Sequence, residues 1–230
     1  EQAKALGKST VWSSSQAAEG QQFLAMAGFS KDQILKSMPG MLDLASAGGI
    51  DLGSAADIGS NILTGMGLDA SEMGRVGDVL TNTFTKSNTN LSMLGETMKF
   101  AAPVAKSLGV SLEEAAAMAG KLGDAGIQGS MAGTTLRAVM LRLSAPSTQG
   151  AQALDALGVK TTDAAGNMRK IPEILADLNK AMAKMPEAQR AAYTKAIFET
   201  EAMSGAFVLM EQAGKGALQE FTEAVKKTGT

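Results

Sequence analysis

Six times along this 230-residue sequence a glycine is followed at once by a branched aliphatic or aromatic residue and then by a polar one. Four copies put a capping residue third: Gly28-Phe29-Ser30, Gly49-Ile50-Asp51, Gly67-Leu68-Asp69 and Gly109-Val110-Ser111. Gly126-Ile127-Gln128 and Gly158-Val159-Lys160 are looser copies. Glycine reaches the left-handed conformation that ends one helix, and Ser or Asp accepts the free amides that begin the next. Ser30, Asp51, Asp69 and Ser111 are therefore expected to be structural caps. Ser30 with Gln33, Asp69 with Glu72 and Ser111 with Glu114 have capping-box spacing, and Phe29 to Ile34 and Leu68 to Met73 have the spacing of a hydrophobic staple. Helices that stop and restart with almost no loop must turn sharp corners. The expected fold class is all-α, a compact array of short capped helices. The junctions are unevenly spaced, which argues against a solenoid repeat.

Composition agrees. Alanine (39 residues) and methionine (15) are strong helix formers, and 26 glycines forbid long unbroken helices. There is no histidine and no cysteine, so Ser-His-Asp and Cys-His machinery, disulfides, thiolate redox chemistry and ordinary zinc sites are excluded. The net charge of −2 leaves no electrostatic footprint for nucleic acid. No apolar run is long enough to span a membrane. The first residues, Glu1-Gln2-Ala3-Lys4-Ala5-Leu6, read as if cut from inside a helix, and the last, Lys226 to Thr230, are equally abrupt. A fragment of a longer chain is the expectation.

The junctions and breakers predict helices over about 3–27, 31–37, 40–47, 52–65 and 70–85, then a polar loop at 86–90. A heptad-like stripe at 91, 94, 98, 101, 105 and 108 predicts a core-facing helix, kinked at Pro103. Further helices are expected at about 112–125, 130–144 and 147–157. Extended runs on either side of Ala164-Ala165-Gly166-Asn167 predict a small β-hairpin near 159–171. Pro172 then opens a helix, followed by others at about 187–198, 202–212 and 215–227.

Chemistry is sparse. Gly7-Lys8-Ser9-Thr10 resembles the tail of a phosphate-binding loop, but its first glycine is missing and its surroundings read as helix. Paired carboxylates at Glu113/Glu114 and Glu199/Glu201 are the remaining catalytic candidates, and a structural role is favoured for both. Gly129-Ser130-Met131-Ala132-Gly133-Thr134-Thr135-Leu136-Arg137 gathers small residues at the head of a helix, where another helix can approach closely. Gly129, Ala132, Gly133, Thr134, Leu136 and Arg137 are candidate packing residues, within the chain or between copies. Arg137 could tie a neighbouring carboxylate or helix C-terminus.

Several ordered stretches together resemble the core region of phage tail tape measure proteins of the TP901-type family, with a contractile-tail flavour. They are Phe23 to Phe29, Leu44 to Gly49, Ala101 to Ala105 through Gly109, and above all Gly126 to Ser130 with Ala132 to Arg137. Leu157-Gly158-Val159, Asp163, Gly166 and Arg169 match the family's hairpin, and Ile197-Phe198 with Glu201-Ala202 its later helix. One position departs: where the family commonly has glycine after that Phe, this chain has Glu199.

The resemblance implies a non-enzymatic core domain over 1–230, divisible into a helical part at 1–86 and another at 91–230 that carries the hairpin. It implies a protein that fills the tail-tube lumen during assembly in the host cytoplasm, sets tail length, and leaves ahead of the DNA. The implied partners are further copies of itself, tail tube, tail chaperone and baseplate proteins, and the host envelope on ejection, with no cofactor, metal or specific nucleic acid. Two other readings stay open, a cell-wall-cleaving carboxylate enzyme and a membrane-active module for genome delivery.

Overall fold

A computed structural model describes residues 1–227. The described chain is all α. Twelve α-helices and one 3-10 turn run α1 (Gln2–Ser9), α2 (Ser14–Met26), α3 (Lys31–Gly48), α4 (Leu52–Met66), the 3-10 turn Ala70–Glu72, α5 (Met73–Thr85), α6 (Leu91–Ser107), α7 (Leu112–Asp124), α8 (Gly129–Ser144), α9 (Thr148–Leu157), α10 (Ile171–Met182), α11 (Glu187–Gly214) and α12 (Ala217–Val225).

The six glycine junctions share one hydrogen-bond pattern. At each, the apolar residue's amide reaches back five residues, as Phe29 N–H does to the Leu24 carbonyl (3.1 Å) and Val110 N–H to that of Ala105 (2.9 Å). The preceding glycine bonds three residues back, as Gly109 does to Lys106 (3.2 Å). This paired closure satisfies helix-end carbonyls and needs a positive φ at the glycine, here 70° at Gly109. The following caps start the next helices. The Ser30 and Ser111 hydroxyls accept from the amides of Gln33 and Glu114, whose side chains reach back to the cap amides. Asp51 accepts from the Ser54 amide at 2.9 Å.

Local signals mislead in several places. The expected helix over 3–27 is two helices. Trp12 is drawn out of line because its indole N–H donates to the Ser46 hydroxyl (2.9 Å) and faces the Leu42 carbonyl (3.2 Å), and Ser13 then caps α2 in a box with Gln16. Conversely, the helices expected at 31–37 and 40–47 are one, because α3 runs through Pro39. Proline removes the donor that would have reached the Leu35 carbonyl, and the Gln2 side chain supplies one instead at 2.6 Å.

Asp69 caps only a 3-10 turn, accepting from Ser71, while Glu72 turns away to Arg75 instead of completing the expected box. The hairpin near 159–171 narrows to one antiparallel bridge, Thr162 with Met168. Its residues are taken up by a tight loop, in which the Asp163 carboxylate accepts from the amides of Ala165 and Asn167 (both 2.9 Å). Arg169 then leaves to pair with Asp177 of α10 at 2.8 Å.

The buried residues form one continuous cluster from Ala17 to Val225. The stripe 91, 94, 98, 101 and 105 faces it. Helix α6 packs most extensively on α8, α3 on α5, α4 on α6, α7 on α12, and α11 on α8, α9 and α10. Helix α11 is broken at Glu199, whose backbone is non-helical at φ 59° and ψ 178°. Beyond the break, Lys215 hydrogen-bonds the Glu211 carboxylate one turn away and holds that carboxyl below its usual range.

Candidate functional site on the outer face of helix α8

The small residues at the head of α8 serve close approach inside the molecule. A Cβ on Gly133 would lie 2.6 Å from the Thr97 carbonyl oxygen and 3.0 Å from Phe100 of α6. The Thr97 hydroxyl in turn reaches the Gly129 carbonyl at 3.0 Å. On the other flank, a Cβ on Gly205 of α11 would collide with the Thr135 methyl at 2.2 Å. Ala132, Leu136, Val139, Met140 and Leu143 are buried. Gly129 takes a positive φ of 58° in open space, and the Gln128 side chain bonds the Asn88 carbonyl instead of capping the helix.

Of the six residues singled out in the sequence, Thr134 and Arg137 are the two that face solvent. The Thr134 hydroxyl is used locally, donating to the Ser130 carbonyl at 2.9 Å. Arg137 makes no ion pair with a described residue. Beside them Met131 is 63% exposed and Leu141 40% exposed. Sequence reasoning assigned these two no role, although positions 131, 134, 138 and 141 share a helical face with 3-4 spacing. Between α8 and α11 lies a shallow cleft of about 270 Å³, lined by Thr134, Arg137, Ala138, Leu141, Arg142 and Glu201.

Three of the four candidate carboxylates are engaged structurally. Glu113 is buried, and both its oxygens accept from Arg75, at 2.8 and 3.0 Å. Burial pushes its carboxyl up, but the Arg75 guanidinium and its own backbone amide outweigh that and hold it below the usual range. The same partners, Glu113 before Glu72, raise Arg75 further above its already high value. Glu114 closes the cap of α7, and Glu199 pairs with Arg142. Gly7 to Ser9 lie inside α1, so the phosphate-loop resemblance has no loop behind it. Among the described residues no group of three or more acids is placed to hold a metal ion, and no helix is long and apolar enough to cross a membrane.

A family model described as phage-related minor tail protein matches residues 1–199. The chain is 38% identical over 224 residues to the tape measure protein of Pneumococcus phage Dp-1, covering 97% of this chain and 19% of that protein. It is 41% identical over 227 residues to the probable tape measure protein of Escherichia phage P2, covering 98% of this chain and 28% of that one. A third match is 27% identical over 191 residues to the probable tape measure protein of Halomonas phage phiHAP-1. The chain thus spans between 19% and 28% of the length of the curated relatives it matches. No solved structure matches.

Proposed function

The chain belongs to the phage-related minor tail protein family, and from that membership we propose that it is the folded core of a tail tape measure protein, working as a structural element and not as a catalyst. The observation that carries this reading is near-complete coverage of the chain by a tape measure protein at 38% identity and a probable tape measure protein at 41%. The engaged state of every candidate carboxylate except Glu201 supports the structural role over cell-wall cleavage.

In this reading the protein resides in the tail and, during assembly, in the lumen of the tail tube, having been made in the host cytoplasm. Its partners are tail tube, chaperone and baseplate proteins and further copies of itself. Residues 1–230 act as one core unit, since α4 and α5, before the loop at 86–90, pack directly on α6, α7 and α12 after it. Residues 228–230 lie outside the described residues. Thr134 and Arg137, with Met131 and Leu141, form the contact face, whereas Gly129, Ala132, Gly133 and Leu136 hold α8 in place behind it.

The test is genetic. In-frame deletion or duplication of helical stretches in the parent gene should shorten or lengthen tails in proportion, measured by electron microscopy. Tails of unchanged length would end the ruler reading.

A further inference from the structure

We propose that the second half of α11, from Glu199 onward, together with α12 forms a lobe that opens as a unit ahead of the rest of the fold, with Glu199 as its hinge.

Glu199 is the non-glycine residue with positive φ among the described residues, and its pair of angles, φ 59° and ψ 178°, falls where essentially only glycine is comfortable. Such a conformation persists only when its surroundings hold it. Here Phe198 and Ala202, both buried, anchor the chain on either side. The side-chain link at the hinge is the Arg142–Glu199 pair, with side chains 37% and 48% exposed, and exposed pairs hold weakly.

Two further costs fall in the same region. The buried side-chain polar atoms left without a hydrogen bond among the described residues are Arg190 Nε, in the first half of α11, and Gln219 Oε1, in α12. Each forgoes hydration in the folded state, and Gln219, which lies on the lobe itself, regains it on opening. The lobe's contact surface is also rich in small residues. Ala202, Gly205, Ala206, Ala213 and Gly214 lie along it, with Gly205 against Thr135 and Gly214 against Asn179 of α10. Small side chains bury little apolar area per residue, so less is lost when they separate.

Closure is held chiefly by Leu209, Met210, Leu218, Phe221 and Val225, all buried. At the far end Lys121 stacks over the Phe221 ring at 4.5 Å and Asn82 donates to the Lys227 carbonyl at 2.7 Å. The closed lobe is therefore the resting state. Strain at the hinge and the orphaned Gln219 oxygen on the lobe itself lower the cost of opening it.

Native-state hydrogen exchange of the full chain, read by mass spectrometry, tests this. Amides of 203–225 should exchange faster than those of α3, α6 and α8. Glu199→Gly, which removes the strain, should slow exchange in 203–225 on the order of tenfold and leave α3 and α6 unchanged. Gln219→Leu, which removes an orphaned acceptor, should slow the same segment. If Glu199→Gly folds poorly, Glu199→Asn, which tolerates positive φ better than Glu, takes its place. Uniform protection in the parent, or slowing spread evenly over all helices in the variants, would overturn the proposal.

Discussion

Glu113 is only 7% exposed, yet it is charged, because Arg75 meets both its oxygens and the first turn of α7 presents free amides to it. Removing the guanidinium leaves a buried carboxylate unpaired, the costly half of breaking such a bridge. Arg75→Met should therefore lower stability by about 2 kcal/mol at pH 7, less than for a fully buried pair because Arg75 itself is partly exposed. Urea unfolding measures it. The pH dependence has a definite sign. A carboxyl held below its unfolded value contributes stability above that value, near 4.5, and loses it as pH falls through the folded one. Acid unfolding of the parent should steepen below about pH 4.5, and Glu113→Gln should flatten that limb. The sequence offered Glu113 as a first-turn acid and a catalytic candidate, and not as the partner of Arg75, which lies on another helix. Glu199 stood out in the sequence because the resemblance leads one to expect glycine there. That the departure costs backbone strain could be read only from its φ and ψ.

Helix ends were largely legible, because stopping and capping are local chemistry. Six glycine junctions close in the same way, and Ser30, Asp51 and Ser111 accept the amides their spacing assigns to them. Helix continuity was less legible. A proline inside a helix normally marks a break, and α3 passes through Pro39 because Gln2, remote in sequence, supplies the missing donor. Glycines within helices divide by the same logic. Propensity alone predicts that Gly→Ala stabilises any helix interior. At Gly74, in α5, an added Cβ meets nothing within 4 Å, so Gly74→Ala should gain about 0.5 kcal/mol. At Gly133 the added atom meets backbone of α6 at 2.6 Å, so Gly133→Ala should lose about 1–3 kcal/mol. Thermal unfolding of the two variants side by side reads opposite shifts in midpoint. If both rise, α6 and α8 approach less closely than described.

At the scale of the molecule, one continuous core leaves an outward stripe of Met131, Thr134, Ala138 and Leu141 on α8, with unpaired Arg137 beside it. If copies meet there, sedimentation of the parent should depend on concentration, and Leu141→Glu, which places a charge in that face without touching the core, should abolish the dependence. A parent that stays monomeric at high concentration would rule out contact between copies at this stripe. The sequence by itself determined the class of structure: helices, their stops and caps, and the absence of histidine and cysteine chemistry. These depend on neighbours a few residues apart or on composition alone. Tertiary structure decided which small residues are spent inside the fold, why Pro39 is tolerated, how Glu113 keeps its charge, and that Glu199 sits strained at a hinge. Each of those rests on a contact between residues far apart in the chain, and such distances are set only when the helices pack.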